Sequence, residues 1–268
     1  MKINHVKKLN QLTLVILIFS AAMLSSCGEK KGDFLASELE LSNIVNGKSA
    51  TKKNKSALSV VAIIAEKEEG QSLCTGTIIS PDIILTAAHC LDDISPHLRI
   101  VFNFKIQKVK DKELREADRF IQHPHWGRHI KSGEGDIALI HFKGGLPEGY
   151  SPVLLASKSL KLKTGQKVSM LGYGVTDGQL DKGAGKLRET NSTILEQRSS
   201  TEYITDGEKS SVCFGDSGGP SFIKINDDIV QWGIASSVLN RTCDEASVHT
   251  GVMKYDTWIR STVKKMNK

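Results

Sequence analysis

The chain has 268 residues, of which 39% are apolar and a quarter charged, with a formal net charge of +6. That is an ordinary globular balance, long enough for one large domain or two small ones. The basic excess is thinly spread, with no dense Lys/Arg stripe interleaved with aromatics, so nucleic acid is excluded as an expected partner and solvation accounts for the charge.

The chain opens "MKINHVKKLNQLTLVILIFSAAMLSSC". Lys2, Lys7 and Lys8 precede an apolar run from Leu12 to Leu24, the anatomy of a signal peptide over residues 1–26. The run is short of the roughly 20 residues that an ordinary membrane span needs. Its end, "LSSC", resembles the lipobox of bacterial lipoproteins, which implies a lipid on Cys27 and a membrane partner through that lipid. The alternative is an ordinary secretory leader with an incidental cysteine. Gly28 stands where some lipoproteins carry an aspartate that retains them at the inner membrane, so the expected location is the outer membrane, cell surface or periplasm. Residues 27–43 read as a tether or propeptide.

From about residue 57 the chain reads as short strands between turn residues: 57–64, 76–88, 98–104, 136–142, 166–174 and 229–237. That spacing predicts an all-β sandwich or barrel. A helix is predicted at the C-terminus, where Tyr255, Trp258, Ile259, Thr262 and Val263 form an apolar stripe and the last turns are lysine-rich. Setting Cys27 aside leaves Cys74, Cys90, Cys213 and Cys243, an even number that allows three pairings in an oxidising compartment.

One stretch asks for chemistry. "CFGDSGGP", residues 213–220, is either a turn built from turn residues or the seat of an exposed, activated serine. A serine hydroxyl is a poor nucleophile at neutral pH; it needs a base, and the base needs an orienting acid. His89 in "LTAAHC" and Asp136 in "DIALI" are the candidates. "TAAHC", "DIALI" and "GDSGGP", in that order, resemble the trypsin/chymotrypsin family of serine proteases. "IVNG" at 44–47 resembles that family's mature N-terminus, and "LGYG" at 171–174 the segment opening its second barrel. The resemblance spans residues 44–268.

The resemblance implies two six-stranded antiparallel β-barrels, the first over about 44–150 and the second, with the C-terminal helix, over about 151–268, with the site in the cleft between them. It implies bridges Cys74–Cys90 and Cys213–Cys243. It implies Ser217 as nucleophile, His89 as general base, Asp136 as orienting acid, and the backbone N–H groups of Gly215 and Ser217 as the oxyanion hole. It implies that Asp216 pairs with the Ile44 amine freed by cleavage after Asn43, hence a zymogen with an unknown activating protease. For the specificity pocket it points to Ser211 at the floor, Ser236 beside the triad acid, Val238 on a wall that also carries Ser237, and Gly251 leaving the slot open. A serine at the floor removes the charge that would select Arg or Lys, so the preference before the scissile bond is apolar or aromatic. The expectations are a monomer acting on protein or peptide substrates, without cofactor or metal. The cluster His123, His125 and His129 is read as a loop leading to the Asp136 strand. The rival reading is a catalytically silent binding protein on the same scaffold.

Overall fold

The computed structural model describes residues 47–268 apart from residues 69, 95–96 and 129–132. The leader, Cys27, the tether, Ile44 and His129 lie outside the described residues.

Six strands close the first barrel: β2 (Val60–Lys67), β3 (Gly70–Ser80), β4 (Ile83–Thr86), β5 (Leu98–Val101), β6 (Leu114–Gln122) and β7 (Ala138–Phe142), in the order β2-β3-β4-β7-β6-β5. The stretch 76–88, read as one strand, is the end of β3, a turn at Pro81 and Asp82, and β4; proline cannot donate to a ladder and marks the break. The second barrel is built from β9 (Lys167–Gly172), β10 (Arg188–Gln197), β11 (Glu202–Asp206), β12 (Pro220–Ile225), β13 (Asp228–Val238) and β14 (Ala246–Gly251). Its order is β9-β10-β11-β14-β13-β12, and pairing of β12 back to β9 closes the ring. Closure leaves neither sheet with a long bare edge.

One short strand crosses the boundary expected from sequence, and a second stays on its own side of it. β1 (Lys48–Ser49) belongs to the first part of the chain but pairs with β10 of the second barrel. β8 (Leu154–Leu155) runs parallel to β13. The helix α1 (Asp256–Met266) also crosses back. Ile259 and Met266 join Tyr255 in one apolar cluster with Leu139 and Ile140 of the first barrel, and Arg119 of β6 donates to the Met266 carbonyl. A helix that follows the second barrel in sequence is thus a strap onto the first.

The barrels meet through an apolar layer. Val60, Ala62 and Val101 from the first pack with Leu171, Tyr173, Leu187 and Phe222 around the second. Phe222 is fully buried there. Phe222→Ala should cost about 3–5 kcal/mol of stability, read by urea unfolding, because the gap opens at a seam that neither barrel can close alone.

Candidate active site

Each candidate residue sits where a strand ends at the cleft. His89 lies on a short 3-10 turn, Ala88–Leu91, directly after β4. Asp136 precedes β7 and is 1% exposed. Ser217 lies on the loop before β12.

Asp136 is gripped from both barrels. Its Oδ2 is 2.9 Å and its Oδ1 3.1 Å from His89 Nδ1, and Oδ1 also accepts the His89 backbone N–H at 3.0 Å. From the second barrel the Ser236 hydroxyl donates to Oδ2 at 2.5 Å. Ser236 can do so because β13 bulges between Ala235 and Ser237, leaving one residue out of the ladder. Burial pulls the His89 pKa down, but the hydrogen bond and charge of Asp136 outweigh it and leave the imidazole above its usual 6.5. His89 and Ser217 line one cavity of about 370 Å³.

The loop that carries Ser217 is held from the first barrel by Thr75, a residue that the sequence motifs did not mark. Its hydroxyl donates to the Gly215 carbonyl at 2.8 Å and accepts from Tyr173 N–H at 3.1 Å, while its backbone N–H donates to the Ser217 carbonyl at 2.8 Å. Gly218 explains the glycine that follows the serine. It has φ +81°, and a Cβ there would stand 2.0 Å from Thr86 Oγ1 and 2.4 Å from the Thr75 carbonyl. The loop can reach the first barrel because that residue has no side chain. Gly215 also adopts a left-handed φ, +94°.

Both disulfides are formed as the resemblance implied. Cys74–Cys90 ties β3 to the turn that carries His89, and Cys213–Cys243 ties the loop that carries Ser217 to the segment after β13. Cys74, His89 and Cys90 bring ligand atoms within 4.8 Å of one another, but both sulfurs are spent in the bridge and offer no thiolate to a metal. His123 packs its ring against Tyr255 and Trp258, and His125 faces Glu134 at 3.5 Å.

The other cavity walls are Val212, Cys213, Phe214, Ala235, Ser236, Ser237 and Val238, with no carboxylate among them. Ser211 is fully buried, donates to the Val212 carbonyl at 3.0 Å and meets the Ser247 hydroxyl at 2.6 Å. The Gly251 assignment needs correction. Gly251 pairs with Gly233, and a Cβ on it would meet Tyr203, Met253 and the Thr201 carbonyl instead of the cavity. Ser247, opposite Val238 in the β13–β14 register, is the residue of β14 beside the pocket. Ser247 lies four residues before Gly251 on the same strand.

Asp216 is fully buried and accepts N–H bonds from Gly174 at 2.7 Å and Cys213 at 2.8 Å. Burial pushes its carboxyl up to about 6 against those bonds and the charge of Arg188. Its expected partner, Ile44, is outside the described residues.

Two closed antiparallel barrels, with a buried carboxylate bonded to an imidazole that lines the same cavity as a serine, match the architecture of one class of serine hydrolase. A family model described as Trypsin matches residues 44–259, and the chain belongs to that family of trypsin-like serine proteases. The chain is 28% identical to human granzyme M over 215 residues, covering 72% of this chain and 80% of that protein. It is 30% identical to human kallikrein-11 over 216 residues, 74% of each chain. It is 25% identical to rat granzyme B over 245 residues, covering 86% of this chain and 95% of the other.

A further buried imidazole was not marked by any motif. His249 on β14 is held between the Ser221 and Thr205 hydroxyls, each at 2.9 Å, and burial pushes its pKa down to about 3. A depressed histidine stabilises the fold above its unfolded value near 6.5, and that stability is lost as pH falls towards 3. The loss should reach about 5 kcal/mol. Urea midpoints across that window should slope less with pH in His249→Gln; an identical slope would show that His249 is not the group responsible.

Proposed function

We propose that this protein is an exported serine endopeptidase that hydrolyses peptide bonds through an acyl-enzyme on Ser217. The observation that carries the reading is the Asp136 carboxylate, bonded to His89 on one side and Ser236 on the other, in a cleft that His89 shares with Ser217. Asp136 fixes the tautomer with the proton on Nδ1, so Nε2 is free to take the Ser217 proton as the hydroxyl attacks the scissile carbonyl. The imidazolium that forms is stabilised by the same carboxylate and then protonates the leaving amine. The developing oxyanion is received by the backbone N–H groups of Gly215 and Ser217, on a loop held by Thr75. Water then repeats the attack with His89 as base and releases the acid product.

Specificity follows from the walls. The absence of a carboxylate among the cavity-lining residues, with Ser211 and Ser247 hydroxyls paired behind Val212, supports an uncharged apolar or aromatic side chain before the scissile bond. Val238 narrows the slot on one side. Substrates with Arg or Lys there would bring a charge into a pocket with no counter-charge.

Activation is part of the reading. Cleavage after Asn43 frees the Ile44 amine as a partner for the buried Asp216, so the uncut chain is a zymogen. The "LSSC" sequence supports a lipid on Cys27, upstream of the cut, and neither disulfide of the catalytic domain involves Cys27. Activation then releases the enzyme from its membrane. In fractionated cells, protein beginning at Ile44 should appear in the soluble fraction and the uncut chain with membranes; Ile44-initiated monomer retained on membranes would contradict release.

A fluorophosphonate probe should label the cleaved protein and not Ser217→Ala, whose turnover should fall by on the order of a millionfold. Undiminished hydrolysis by that variant would overturn the assignment. Catalysis needs neutral His89, so kcat/KM should fall as pH drops, with a midpoint above 6.5 because the folded pKa is raised. Asp136→Asn should lower kcat by about 10⁴.

A further inference from the structure

Arg188 is a buried cation that the mechanism above does not use. It opens β10, is 5% exposed, and stands directly opposite Gly172 of β9. Directly opposed residues of an antiparallel pair project from the same face, with Cβ atoms about 4.5–5.5 Å apart. Gly172 has no Cβ, and the space is taken by Asp216: a Cβ built there would lie 2.1 Å from Oδ1, and one on Gly174 2.5 Å from Oδ2. The Asp216 carboxylate therefore occupies the face of β9 that Arg188 shares.

The guanidinium is aimed along that face. Arg188 Nη1 donates to the Lys186 carbonyl at 3.1 Å and reaches the Gly174 carbonyl at 3.5 Å, while the Gly174 N–H donates to Asp216 Oδ1 at 2.7 Å. Opposite charges thus hold the same residue from its two polar ends. Arg188 Nε is buried without a hydrogen-bond partner among the described residues. Arg188 also lies against the incoming chain, since β1 places Ser49 opposite Arg188 and the Ala50 N–H donates to the Leu187 carbonyl at 3.1 Å. Ile44 is five residues upstream of Ser49 in the sequence.

We propose that Arg188 is a positioning residue: its guanidinium balances the Asp216 carboxylate before the chain is cut, holds the Gly215–Ser217 turn in shape, and gives the uncut protein part of the activity that the Ile44 amine completes. This rests on the protease reading of Ser217, and the test separates the two. A buried carboxylate must be protonated or paired. Burial raises Asp216, and the two backbone N–H bonds and the Arg188 charge oppose that rise. Among the described residues, the other groups packed around it carry no charge: Tyr173 donates its hydroxyl to the Asn103 carbonyl at 3.0 Å, and Cys213 is in a disulfide. Burial lowers the Arg188 pKa and the Asp216 charge raises it again, so the coupling runs both ways. Once the amine arrives, two cations share one carboxylate and the cut form depends less on Arg188.

The test compares the full chain with the Asn43–Ile44 bond intact, verified by mass, and the same protein cleaved at that bond. Fluorophosphonate labelling of Ser217 is timed in wild type, Arg188→Met, Arg188→Gln and Arg188→Lys. Loss of the cation by either Met or Gln should slow labelling of the uncut form by about tenfold or more and of the cut form by under about twofold, the tenfold being a change of about 1.4 kcal/mol. Lysine should restore most of the loss. Equal slowing of both forms, or of neither, overturns the proposal. A second readout needs no catalysis: in uncut Ser217→Ala, the Asp216 carboxyl pKa read by NMR should rise when Arg188 becomes Met or Gln and return with Lys. An unchanged titration overturns the charge balance. If neither wild-type form is labelled, the protease reading fails, and the Asp216 titration alone decides for or against the pairing.

Discussion

The whole cleft depends on one carboxylate held by both halves of the molecule. Asp136 comes from the first barrel, accepts twice from His89 of the same barrel, and accepts once from Ser236 of the second. Burial would make it costly with fewer partners. Its position therefore requires the seam between the barrels to close, and the seam in turn sets where Ser217 stands. Thr75 repeats the logic from the other side, since a first-barrel residue bonds the carbonyls of Gly215 and Ser217. Ser217 on one barrel and His89 on the other stay in register because polar bonds cross an otherwise apolar layer.

Two buried aspartates in this protein meet burial differently. Asp136 has side-chain donors on both sides, His89 and Ser236, which both line the cavity. Asp216 has two backbone N–H groups and a guanidinium across the neighbouring strand, and its carboxyl is pushed up to about 6. An incompletely balanced carboxylate is a place where a new charge has leverage, and β1 pairs with the start of β10, setting Ser49 opposite Arg188. His249 takes a third course: it stays neutral between two hydroxyls, which makes it a structural group that acid, not substrate, would disturb.

Much of this was legible in the sequence, for physical reasons that differ by element. The β-branched runs became β2, β4, β7 and β13, since strands buried on their inner face need such residues. The terminal stripe became α1, though which barrel it covers could not be read from periodicity. β6 and β10 passed unmarked. "LREADRFIQ" and "RETNSTILEQ" are too polar to read as strands, and β10 buries Arg188 and Thr190 where apolar residues would be expected. The short motifs identified positions that the fold gathers at one cleft, but not what supports them. Thr75, Ser247 and Arg188 act through strand register and cross-barrel approach, which no local pattern encodes. Gly251 shows the same limit from the other direction: a glycine in a familiar neighbourhood was assigned to the pocket, and in the β13–β14 register it is Ser247 that stands opposite the cavity residue Val238.

The most direct test of the account is a crystal structure of the cleaved protein after reaction with a fluorophosphonate. The account predicts phosphorus bonded to Ser217 Oγ, with the phosphoryl oxygen within hydrogen-bond distance of the Gly215 and Ser217 N–H groups and His89 still bonded to Asp136. An adduct on another residue, or a phosphoryl oxygen turned away from those two N–H groups, would contradict it.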